Sequence, residues 1–324
     1  MFASTVRTLL ALAVVAAAGV SAQDFPTRAV TMHVPFAAGG PTDTLARNLA
    51  VSLTSALKQQ VVVENSPGAG GTIGYAKVAK AKPDGYTILL AHIGMATAPA
   101  LYRNLPVNPL TDYEYIGQVA DGPMTLIAKL GLPPNNLKEL IPYIKANKAK
   151  LNMGNAGVGA ASHLCGLLFM STIETDLTTI PYSGTAPAMT ALIGGQIDLM
   201  CDQTTNTTAQ IKAGKVKVYG VTSRQRLPSL PNVPTLQEQG LKNFEVAVWH
   251  GLYAPKGTPK PILDKHISAL QAAVKDATFK ARLAELGVEP VAVDKATPES
   301  LQKHLKAEID KWGPIIKKAG IYAD

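Results

Sequence analysis

The chain has 324 residues, 47% hydrophobic and 17% charged, with a formal net charge of +8 and two cysteines. That hydrophobic share excludes a disordered polymer, and two cysteines exclude a disulfide-stapled framework. No block of five or more basic residues marks a nucleic-acid surface, and the length suits two domains of ordinary size.

Arg7 precedes the apolar run from Leu9 to Ala18, and Val20-Ser21-Ala22 is a small-residue cleavage site. This pattern predicts a cleaved signal peptide over residues 1–22, with a run too short to span a bilayer. Strand and helix signals then alternate, the mark of α/β layers with parallel strands. A strand over 29–34 leads into the glycine-rich turn Pro35 to Asp43. Leu45, Leu49, Leu53 and Leu57 then repeat every four residues, one face of a helix. A strand over 61–64, a glycine loop over 67–71 and a helix over 72–80 follow. The turn Pro83-Asp84-Gly85 opens a third strand that ends at His92.

An extended crossing over 113–129, broken at Asp121-Gly122-Pro123, leads to a second α/β set. Its strands are expected at 151–154, 178–182, 197–201 and 216–222, with helices over 160–170, 185–193 and 205–213. Pro228, Pro231 and Pro234 mark an extended surface segment, and Thr235 and Glu238 have the spacing of a capping box. A second extended crossing at 244–255 precedes helices begun by Thr258-Pro259 and Thr297-Pro298. The last helix carries Leu301, Leu305, Ile309, Trp312 and Ile316 on one face.

The two glycine turns, 35–43 and 152–162, each join a strand to a helix start. Free backbone N–H groups and a positive helix end make each an anion receptor, which glycine lets a ligand approach. Candidate ligand contacts in the first are Phe36, Ala38, Gly39, Gly40, Thr42 and Asp43. In the second they are Asn155, Gly157, Val158, Gly159 and Ser162. Strand ends add His92, Tyr182, Ser183 and Asp202, the last followed by Gln203. Asp43 reads either as a first-turn acid holding its own helix or as a partner for a ligand ammonium. Trp249 reads as core rather than cleft wall, and Cys165 and Cys201 as either a bridge or two separate buried thiols. No G-x-S-x-G, dinucleotide loop or metal-ligand spacing occurs, so no catalytic residue, metal or cofactor is expected.

Several long motifs in order resemble the substrate-binding component of tripartite tricarboxylate transporters, the Bug or TctC family. They are PFAAGGPTDTLAR (35–47), ENSPGAGGTIG (64–74), KPDGYTILLA (82–91), NAGVGAASHL (155–164), IPYSGTAPAMTALIGGQIDLMCD (180–202), LPNVPTLQEQG (230–240) and WHGLYAPKGTP (249–259). The resemblance implies a two-lobed, type II-like periplasmic binding fold that holds a carboxylate through loop amides and ordered water. It also implies delivery to an integral membrane permease. The expected arrangement is lobe one from 23–122 and 251–324, lobe two from 123–250, two hinge crossings, and a monomer in the periplasm. Small loop side chains and the absence of loop cations favour an aromatic dicarboxylate such as terephthalate. A citrate-like acid or an amino acid held by Asp43 is the alternative, and a secreted α/β hydrolase is the reading from another class.

Overall fold

The computed structural model describes residues 25–320 and 322–323. The signal-peptide expectation for residues 1–22 lies outside them. Among the described residues ten strands form one continuous sheet in the order β2 (Val61–Asn65), β1 (Val30–Val34), β3 (Thr87–His92), β9 (Ala247–Pro255), β4 (Tyr113–Ala128), β7 (Leu199–Gln203), β5 (Asn152–Asn155) and β6 (Thr178–Pro181), with β8 (Lys217–Val221) and β10 (Glu289–Pro290) also joined to β4.

The first half contains β1 (Val30–Val34), α1 (Pro41–Leu57), β2 (Val61–Asn65), α2 (Thr72–Ala79), β3 (Thr87–His92) and α3 (Gly94–Leu101). β1 pairs in parallel with both β2 and β3. α1 buries Leu45, Leu49, Leu53 and Leu57, the face that the four-residue spacing predicts. Its Pro41 stands in the first helical turn, where a missing N–H costs nothing.

β4 (Tyr113–Ala128) passes from one lobe to the other. Residues 113–123 pair with β9 (Ala247–Pro255), and residues 124–128 pair with β7 (Leu199–Gln203). The strand is therefore continuous through Asp121-Gly122-Pro123, where the sequence signalled a break. Pro123 stands at the handover between partners, the place in a ladder where a missing donor matters least. β9, which fills most of the expected second crossing at 244–255, pairs only with β3 and β4.

The second half adds α4 (Leu137–Asn147), β5 (Asn152–Asn155), α5 (Ala161–Thr172), β6 (Thr178–Pro181), α6 (Thr185–Ile193), β7, α7 (Thr204–Lys212) and β8 (Lys217–Val221). After β9 come α8 (Lys260–Ala273), α9 (Ala277–Glu285), β10 (Glu289–Pro290) and the terminal α10 (Pro298–Ala319). α10 buries Leu301 and Leu305 in a cluster that also holds Leu101, Leu126, Phe169 and Leu199, so one core reaches both lobes. Trp249 is buried against α10, edge-on to His304 at 4.9 Å, as the core reading expects. No helix among the described residues is long and apolar enough to cross a membrane.

Cys165 of α5 and Cys201 of β7 are joined as a disulfide, with Cα atoms 5.9 Å apart. Both are buried, so the bridge is sheltered. Thiol titration of the denatured, unreduced protein is expected to find no free thiol from this pair; two free thiols would contradict the bridge. Reduction is expected to cost about 2–4 kcal/mol of stability.

Candidate functional site

Between the lobes lies a narrow cavity. Lobe one supplies Phe36, Gly40, Pro41, Thr42 and His92, and lobe two supplies Ala156, Ala160, Ala161, Ser162, Thr185 and Gln203. These residues sit at four helix starts. Gly40 caps α1, Ala160 caps α5, Gln203 caps α7, and Thr185 is the first residue of α6. None of the four has a side-chain cap, whereas the starts of α4, α9 and α10 are capped by Asn136, Asp276 and Thr297. First-turn amides have no partner inside their own helix, so four positive ends face one space. No lysine or arginine lines it.

The walls are neutral. Phe36 stacks on His92 with ring centroids 4.5 Å apart. His92 Nδ1 accepts the Gly94 amide at 2.9 Å, which puts the ring proton on Nε2. Burial pushes the His92 pKa down to about 4 and holds His250 well below its usual value, so both rings are uncharged near neutrality. Thr42 Oγ1 and His250 Nε2 share a hydrogen bond of 3.2 Å, while His250 Nδ1 has no hydrogen-bond partner of normal geometry, although the Val248 backbone is close enough to favour its charged form. Among the described residues, no acidic side chain stands behind this hydroxyl–imidazole pair as the third group of a catalytic triad.

The glycine loops are braced by their own side chains. Asp43 accepts the Gly39 amide at 2.8 Å, Arg47 Nε at 2.9 Å and Asn65 Nδ2 at 3.0 Å. Burial opposes its charge, yet hydrogen bonds from Arg47, Gly39 and Asn65 hold its carboxyl below the ordinary range. In the second loop Ser162 Oγ accepts the Ala156 amide at 2.8 Å, Asn155 Oδ1 that of Gly157 at 2.9 Å, and His163 Nδ1 that of Gly159 at 3.1 Å. The lobes meet across the cavity mouth. Thr97 and Tyr102 hydroxyls of lobe one donate to the Gly159 and Val158 carbonyls at 3.0 and 3.1 Å. An ideal Cβ on Gly184 would stand 3.0 Å from the Ala37 backbone N. This is a closed form.

The family described as "Tripartite tricarboxylate transporter family receptor" matches residues 45–321. The chain belongs to this receptor family. A UPF0065 protein of Agrobacterium vitis, from the TAR-I ttuE-ttuC' intergenic region, is 50% identical over 92% of this chain and 87% of its own. The periplasmic binding protein BugD is 55% identical with a TM-score of 0.89, covering 92% of this chain and 99% of that one. MatC from Rhodopseudomonas palustris, with bound malate, is 38% identical with a TM-score of 0.86, covering 90% and 100%.

Of the residues that sequence reading assigned to this receptor's site, Phe36, Gly40, Thr42, His92 and Ser162 line the cavity. Ala38 and Gly39 are exposed, and Asp43 and Asn155 act as loop braces with their oxygens already occupied. The Gly157 and Gly159 amides point into those braces, and the Val158 carbonyl faces Tyr102, so none of the three lines the space. Tyr182 packs with the Ile197 and Met200 cluster, and Ser183 is exposed. Asp202 lies behind Thr185 and Gln203 and is fully buried. A loop amide that finds a side chain within its own turn is no longer free to meet other groups, which is why these loop residues stand apart from the cavity lining. Thr185, Pro41, Ala156, Ala160 and Ala161 were missed. Thr185 was legible, since it opens a helix directly after Gly184 at the same sheet edge as Gln203.

Proposed function

We propose that this protein is a periplasmic receptor that closes on an aliphatic dicarboxylate and presents it, unaltered, to the permease of a tripartite tricarboxylate transporter. The observation that carries the reading is the convergence of four uncapped helix starts on one cation-free cavity. Each partly buried helix end contributes up to ~2 kcal/mol toward an anion. Two ends fall short of the roughly 8 kcal/mol of micromolar binding, and four approach it before any direct hydrogen bond is counted.

Relatives narrow the ligand. The malate held by MatC and the adipate held by another relative from Rhodopseudomonas palustris favour an aliphatic diacid over terephthalate. Asp43, the group suited to an amino-acid ammonium, is already occupied by three donors. The incomplete Thr42–His250 pair speaks for capture and not for hydrolysis.

A thermal-shift screen of malate, longer aliphatic diacids, citrate, terephthalate, glutamate and aspartate tests the ligand class. The aliphatic diacids are expected to give the largest shift. Tight binding of terephthalate or an amino acid with none of malate would contradict the ligand class and leave the receptor role standing. Mass spectrometry of the bound acid after incubation should recover it unchanged, and an altered acid would sink the receptor role.

A further inference from the structure

Asp202 is the penultimate residue of β7 and has no solvent exposure. Its oxygens accept the Gln203 amide at 2.7 Å and the Asn206 side-chain amide at 2.5 Å, both neutral donors. The titratable groups on the packed elements leave it without a cation. Just before β7, Asp198 is paired with Lys129 at 2.6 Å. β4 carries Glu114 and Asp121 in its first-lobe half, α5 carries His163, kept neutral by burial, and α7 carries Lys212 in its last turn. α6 and β5 carry none. Across the cavity, His92 and His250 are neutral and Asp43 is paired with Arg47.

A carboxyl buried without a cation resists ionisation. Burial pushes the Asp202 pKa up to about 7, even with hydrogen bonds from Asn206, Gln203 and Thr185 pulling the other way. Thr185 stands between this acid and the cavity it lines. Its Oγ1 is buried with no hydrogen-bond partner of normal geometry, although it is close enough to Asp202 to favour the charged form. A hydroxyl can accept one hydrogen bond and pass on its own proton to another acceptor.

We propose that Asp202 is a proton-linked donor to the binding cavity, protonated whenever an anion is bound and acting on that anion through the Thr185 hydroxyl. The inference rests on the carboxylate reading of the cavity. Asp202 O–H donates to Thr185 Oγ1, and Thr185 O–H donates to the ligand carboxylate, with no bond broken. Where the free protein holds Asp202 ionised, binding a dianion draws one proton from solvent. Above about pH 7 the affinity then falls by up to about tenfold per pH unit.

Calorimetry with malate in two buffers of different ionisation heat reads this directly. At pH 8 the wild type is expected to take up close to one proton on binding. Asp202→Asn is expected to take up none and to hold a constant Kd from pH 7 to 9. The same pH profile in both proteins would overturn the proposal.

A ligand-free arm separates this idea from the ligand assignment. Because the folded pKa is raised, the acid's contribution to stability is complete below its unfolded pKa near 4 and is lost as pH rises through about 7. Wild-type melting temperature should therefore fall relative to Asp202→Asn between pH 4 and 8. Parallel profiles overturn the proposal whether or not malate binds; failure of malate alone overturns only the ligand class. If Asp202→Asn does not fold, infrared titration of the wild type decides. A protonated carboxyl band should be present at pH 6, vanish by pH 8 and return at pH 8 with malate, and its absence at pH 6 contradicts the proposal.

Discussion

Gly184→Val is expected to weaken ligand binding by at least about 100-fold, ~2.7 kcal/mol, while lobe two folds as before. Gly184 has φ 167°, extended backbone open to any residue, so the substitution adds no backbone strain. The obstacle lies across the cleft. An ideal Cβ here would stand 2.9 Å from the Ala37 Cβ and 3.0 Å from its backbone N. Valine adds two methyl groups beyond that point, and neither Ala37 atom belongs to a flexible side chain. The lobes must then stay apart, which removes α1 from its end of the ligand and admits water between opposed helix ends, where each dipole weakens. Small-angle scattering should show compaction on ligand in the wild type and none in the variant. Native affinity in Gly184→Val would mean that closure contributes nothing.

Gly159→Val is expected to cost about 2–5 kcal/mol of stability as well as binding, and Gly39→Val much less of the former. Both glycines have positive φ, +82° and +77°, so each valine incurs backbone strain. Their surroundings differ. At Gly159 a Cβ would come within 2.4 Å of Leu101 Cδ1, in the packed seam where Thr97 grips the same residue's carbonyl. At Gly39 the nearest group is the Ala186 Cβ at 3.8 Å, and the residue is exposed. Denaturant titration should rank Gly159→Val well below Gly39→Val, and equal losses would contradict the seam.

Much of the architecture was legible in the sequence because periodicity and punctuation agree with it. The leucines of α1, the Thr297-Pro298 start of α10 and the alternation of strands and helices all survive in the structure. α3 was not legible. Its sequence, GMATAPAL, holds a glycine and a proline and is buried on nearly every side, so no polar face alternates with an apolar one. α4 and α9 carry readable signals in the Asn136 and Asp276 caps.

The site was legible as a place but not as a set of atoms. Glycine turns at strand ends point to the region where Phe36, Gly40, Thr42 and Ser162 line the space between the lobes. The sequence offers bracing of its own turn as one reading of Asp43, but it does not show that Asn155 and His163 also turn back onto the loop amides, since that depends on side-chain direction within turns. The starts of α6 and α7 are legible as sharing one sheet edge, and their meeting at one cavity follows from the adjacency of β7, β5 and β6 in the sheet.

A crystal structure of the protein grown with malate tests the central claim most directly. The account predicts the acid inside the cavity between the lobes, with its carboxylates at the first turns of α1 and α5, hydrogen-bonded to backbone amides directly or through one water. No lysine or arginine should touch it. A malate held by a basic side chain, or seated anywhere outside the space bounded by Phe36, Thr42, Ser162 and Thr185, would contradict it.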